Sequence, residues 1–162
     1  DGASLVGARL VGARLVGARL DGASLVGARL DGARGIDRWW STPLMMLHDQ
    51  PGPIRAYKLI NKHGEGPING GLKYVEGESV ACADASTDPL VQCGPGINVA
   101  TLDWCLSHWQ PGYRVLIVEF AAEDIAAIPL GTDGKFRLHR CSVIGERDIS
   151  SLVPQVATAD VS

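Results

Sequence analysis

The first thirty-odd residues place one apolar side chain at a fixed interval of five. Leu recurs at 5, 10, 15, 20, 25 and 30, Ala stands two places before each, and Gly follows at 7, 12, 17, 22, 27 and 32. On an α-helix five residues advance about 500°, so successive leucines step roughly 140° and form no stripe. On a strand five is odd, and the leucines alternate between faces. A chain that turns about a quarter circle per unit brings every Leu into one interior, with Gly relaxing the corner. Val6, Val11, Val16 and Val26 follow the inward Leu and point outward, as a docking face or as ordinary apolar scatter on a β surface.

The period changes at Gly35. Trp39 and Trp40 offer apolar area to cap the end of the repeat, or belong to the next core. Leu44–Leu47 reads as one helical turn, and Gln50-Pro51-Gly52-Pro53 as a rigid connector. Ile54–Ile60 reads as a strand. Leu72–Val75 and Ser79–Cys82 fit a short pair across Glu76-Gly77, and 84–96 is a polar loop. Val99, Leu102, Leu106 and Trp109 fall on one face of a helix, with Asn98 as its N-cap. Tyr113–Ala121 is nearly all apolar, a central strand covered on both faces. Thr132-Asp133-Gly134 predicts a turn into a final strand, Lys135–Ile144.

Six consecutive Ala-x-Leu units in phase resemble the pentapeptide-repeat family, whose pattern is Ala-Asp/Asn-Leu-x-x. The resemblance covers residues 1–34. It implies a right-handed quadrilateral β-helix with four units per coil, so that Leu25 stacks on Leu5 and Leu30 on Leu10. Here Arg or Ser stands where the family has Asp or Asn. Some members mimic DNA with an acidic surface, a role that the positive repeat argues against. Asp1-Gly2 matches Asp21-Gly22 and Asp31-Gly32, which leads to the expectation that further units precede residue 1. Ala56-Tyr57-Lys58, Cys93 with Gly94 and Gly96, and Lys135-Phe136-Arg137 resemble a small domain of bacteriophage and prophage proteins. That likeness spans roughly 55–147 and implies a setting, not an activity.

Together these readings predict a mixed fold: a short quadrilateral β-helix over 1–36, then a capping segment and linker over 37–53. A small α+β domain over 54–150 follows, with a mainly antiparallel sheet and one principal helix. A tail occupies 151–162. The chain has 162 residues, 46% hydrophobic and 20% charged, enough to bury a core. Residues 1–36 hold five Arg and three Asp, a net of +2, while the remainder carries −5. Neither half has the positive field of a nucleic-acid binder, so nucleic acid is not an expected partner. No run of about 18 apolar residues exists, and no membrane partner is expected. Cys82, Cys93, Cys105 and Cys141 lack zinc-ligand spacing and read as reduced thiols of a cytosolic setting, so no metal is expected.

Few residues invite chemistry. Glu119 lies in an apolar strand and needs a cation, donors or a raised pKa, which makes it the one catalytic candidate. Alternation puts Lys135, Arg137 and His139 on one face, able to hold an anion such as phosphate or simply to meet solvent. Arg55, Tyr57 and Lys58, taken with Glu119, are similar to ADP-ribosyltransferases, which hold NAD with an early-strand Arg and transfer with a late Glu. The Ser-Thr-Ser segment of those enzymes is absent, and Ser86-Thr87 is only a fragment. No basic residue neighbours Cys93 in the sequence, so no nucleophile is expected there. The leading expectation is a non-enzymatic structural or protein-binding module, phage-derived, in the host cytoplasm or a virion. It needs no cofactor and engages a protein partner or itself through the repeat. The rival is a small nucleotide-binding or ADP-ribosyltransferase-like enzyme using Arg55 and Glu119.

Overall fold

The repeat turns once per unit. In the computed structural model, which describes residues 3–16, 18, 20, 25, 27–30, 33–35, 42–67 and 70–153, each turn is closed by the Ala amide. Ala8 donates to Leu5 O at 3.0 Å, Ala13 to Leu10 O at 3.0 Å and Ala28 to Leu25 O at 2.9 Å. The third turn residue needs a left-handed backbone, and Gly12 supplies it at φ +69. Chain segments twenty residues apart meet in parallel bridges, Arg9 to Arg29 and Arg14 to Arg34. Val26, Trp39 and Trp40 lie outside the described residues, as does the tail from 154.

The rest of the chain is dominated by one sheet. Its strands are β1 (Ile54–Ile60), β2 (Ser79–Ala81), β3 (Ile97–Ala100), β4 (Arg114–Phe120), β5 (Ile125–Ala127), β6 (Lys135–Leu138) and β7 (Arg140–Glu146). They run in the order β2-β7-β4-β1-β3-β6-β5, every pair antiparallel, and the sheet does not close. Among the described residues one α-helix, α1 (Leu102–Ser107), and 3-10 turns at Pro43–Asp49 and Ala122–Asp124 complete it. Both faces of the central strands are covered. Ile54, Ala56, Leu116 and Val118 enter one apolar cluster, and Leu59 and Val115 join Trp104 and Cys105 of α1 in another.

This architecture corrects the expected β-helix followed by an α+β domain. The described repeat makes isolated bridges, not a continuous solenoid, and the body is mostly sheet. The described leucines of the repeat do not close a core by themselves: Leu25 and Leu30 are buried against Leu130, with Leu5, Leu10, Leu20 and Leu90 packed beside them. The fit is close: a β-carbon on Gly131 would collide with the Leu25 carbonyl.

Three local expectations change as well. The helix begins only at Leu102, because Thr101 caps it by accepting from Trp104 N at 3.3 Å. Asn98 and Val99 belong to β3, where Val99 faces Phe136. Ser79–Ala81 pairs with β7, not with Leu72–Val75, and Lys73 bridges Glu65. The single last strand is two. His139 interrupts it, donating to Asp124 O at 2.8 Å and accepting from Cys82 N at 2.7 Å. β6 then pairs with β3 and β5, and β7 with β4 and β2.

Candidate functional site

Val11 stands at a corner between two arginine pairs. As the second residue of its turn it cannot reach the interior, and it is 49% exposed; Val6 and Val16 are 59% and 75% exposed. The bridges set Arg9 beside Arg29 on one side of that corner and Arg14 beside Arg34 on the other. Paired strands lie about 4.8 Å apart, so each pair puts like charges side by side. All four arginines are exposed. Among the described residues no ion pair involves Arg9, Arg14 or Arg34.

The sheet holds a second cluster in its interior. Between β1 and β3 the pairing is limited to Tyr57 and Ala100. Beside it Lys58, Asn98, Trp104 and Lys135 line a cavity of about 20 Å³, room for one water. Lys58 is only 4% exposed; its ammonium donates to Asn98 O at 2.7 Å and lies 4.6 Å from the Tyr74 ring centroid. Burial lowers its pKa to about 8. Lys135, 7% exposed, donates to Cys93 Sγ at 2.9 Å and lies 5.8 Å from the Trp104 ring centroid. Neither lysine meets a carboxylate among the described ion pairs. Asn98 Oδ1 is buried with no hydrogen-bond partner among the described residues.

The fold brings two of the remaining sequence candidates together. Glu119 faces Arg55 across β1 and β4 and accepts from its Nε at 3.1 Å. That carboxylate edges an open groove of about 480 Å³ with Ser79, Ser142, Asp124 and Arg140. Its charges are matched internally, since Arg140 Nε also meets Asp124 at 2.5 Å. Arg137 shows no exposed surface. Its guanidinium donates to the carbonyls of Ser86 (3.0 Å), Val91 (2.7 Å) and Asp88 (2.7 Å), with Gln92 O at 3.4 Å. Lys135 and Arg137 do share a face, but that face is covered by the 84–96 loop. Their donors go to that loop, not to a solvent anion. His139 is half-buried at the break between β6 and β7.

The pairing of Cys93 with Lys135 is invisible to a local reading, because 42 residues separate them. The absence of a basic residue near Cys93 in sequence therefore misleads: the fold supplies one. All four cysteines are free thiols. Among the described residues no group of three or more His, Cys, Asp or Glu side chains could hold a metal ion, and no helix is long and apolar enough to cross a membrane.

Comparison with known proteins places one segment. Residues 1–34 match pentapeptide repeats, in eight copies. The match stops there, and nothing in it supports a phage-type domain over 55–147. No curated protein and no solved structure matches the chain.

Proposed function

We propose that the chain is a protein-binding structural module whose docking face is the Val11 corner and its two arginine pairs. The partner is an acidic protein segment carrying an apolar anchor. The observation that supports this reading is the position of exposed Val11 between two side-by-side pairs of exposed arginines. Carboxylates laid along the pairs would offset their mutual repulsion through planar, charge-assisted hydrogen bonds. An apolar side chain between them would cover the valine. The pentapeptide match over 1–34 agrees with an interaction or structural role. The phage setting rests on resemblance alone and adds no residue to the reading.

The test titrates the full chain into a fluorescein-labelled peptide with one Leu between flanking Glu pairs, at physiological salt. Binding should appear by anisotropy and weaken at least tenfold, about 1.4 kcal/mol, in the Arg9→Glu, Arg14→Glu double variant. Val11→Asp should weaken it as well. Equal binding by both variants would overturn the reading, as would tighter binding of duplex DNA. A concentration-dependent dimer abolished by Val11→Asp would replace the acidic partner with a second copy.

A further inference from the structure

The loop from Cys82 to Gly96 brings an exposed thiol onto the amine of a buried lysine. Lys135 Nζ points at Cys93 Sγ from 2.9 Å, and Trp104 closes its other side. Cys93 is exposed, so an oxidant from solvent reaches its sulfur directly. The other three thiols are buried or half-buried. Burial pushes Cys105 up to about 12 and Cys141 up to about 11, and burial together with a hydrogen bond to Asp84 raises Cys82. Peroxide arriving from solvent therefore meets Cys93 first, the exposed thiol of the four, with an amine already within reach of it.

We propose that Cys93 and Lys135 form an oxidative modification site whose co-substrate is a hydroperoxide and whose product is a sulfur–nitrogen bond. In the first step the Cys93 sulfur attacks one peroxide oxygen. The O–O bond breaks, the thiol is oxidised to sulfenic acid, and the second oxygen leaves as water from hydrogen peroxide or as an alcohol from an organic hydroperoxide. In the second step Lys135 releases a proton to solvent and its nitrogen lone pair attacks the same sulfur. The S–O bond breaks and its oxygen leaves as water, carrying the second proton lost from nitrogen. The bridge joins the loop to β6, where Arg137 already holds Ser86, Asp88 and Val91. The same loop carries Leu90 against the leucines of the repeat, so the modification fastens the platform on which the repeat rests.

The experiment treats the full chain with hydrogen peroxide at neutral pH, blocks free thiols with N-ethylmaleimide, and digests it without reductant. Mass spectrometry should find the Cys93 and Lys135 peptides joined, two hydrogen atoms lighter than their sum, and separated again by dithiothreitol. Cys93→Ser, at an exposed position that leaves the fold intact, should lose the joined peptide completely. In Lys135→Arg the sulfenic acid should persist and be trapped by dimedone. The proposal is overturned if Cys93 passes to sulfinic acid or an intermolecular disulfide while Lys135 stays unmodified. It is equally overturned if the joined peptide retains an oxygen, or if Cys82 oxidises first.

Discussion

Arg137→Met tests how the long 84–96 loop is held. The guanidinium is fully enclosed and donates to Ser86 O, Val91 O and Asp88 O at 3.0, 2.7 and 2.7 Å. Burial lowers its pKa, yet with no carboxylate among its hydrogen-bond partners it stays charged and relies on those carbonyls. Each such bond contributes about 1.5–3 kcal/mol, and part of that sum offsets the cost of burying the charge. Methionine fills the volume of the stem but leaves the loop carbonyls without donors. The expected loss is about 4 kcal/mol, a large fraction of an ordinary domain's stability of about 5–15 kcal/mol. Urea unfolding followed by tryptophan fluorescence measures it. Hydrogen exchange should show amides of 84–96 losing protection before those of β1 and β4. Arg137→Lys should recover only a small part, because one ammonium cannot span carbonyls that the planar fork reaches together. A loss below about 1 kcal/mol would refute the reasoning, since it would mean that the loop does not depend on this residue.

Three further outcomes follow from the same geometry. Lys58 falls from 10.5 to about 8 in the fold, so between those values the unfolded chain binds the extra proton and stability rises with pH. The full penalty, about 3 kcal/mol, applies below pH 8. The stability advantage of Lys58→Met over wild type should shrink by that amount between pH 7 and 10.5 in urea titrations. Comparing the two proteins cancels the opposite drift from Cys105 and Cys141, whose thiols ionise first in the unfolded chain. Gly131→Ala should cost about 1–3 kcal/mol, because its methyl meets the Leu25 carbonyl; an unchanged melting temperature would remove the close contact between repeat and sheet. Glu119→Gln should change stability by less than about 1 kcal/mol, since its bond to Arg55 is exposed, and a larger loss by calorimetry would contradict that.

What could be read from the chain was local. Ile54–Ile60 and Tyr113–Ala121 carry their strand character in their own apolar runs, and both become central strands. The five-residue period showed where the chain turns, but not that two of its leucines would be buried on Leu130. Val99 fits a helical face in sequence, yet pairing with Phe136 claims it for a strand, a tertiary preference no spacing reveals. Lys135–His139 alternates polar and apolar, but the phase breaks where His139 and Arg140 follow one another, and the competing demands of β3 and β4 divide the run there. The clusters were harder still. Arg137 looks like a solvated basic residue until a loop more than forty residues earlier closes over it. Glu119 needed a cation, as its place in an apolar run implied, and the strand register supplied Arg55.

The central claim is that the Val11 corner and its arginine pairs form a surface for an acidic partner. The most direct measurement is amide and side-chain NMR of the full chain during titration with the Glu-flanked Leu peptide. Shifts should concentrate on Val11, Arg9, Arg14, Arg29 and Arg34 and vanish in the Arg9→Glu, Arg14→Glu variant. Shifts confined to the groove around Glu119 and Arg140, with the repeat unmoved, would contradict the account.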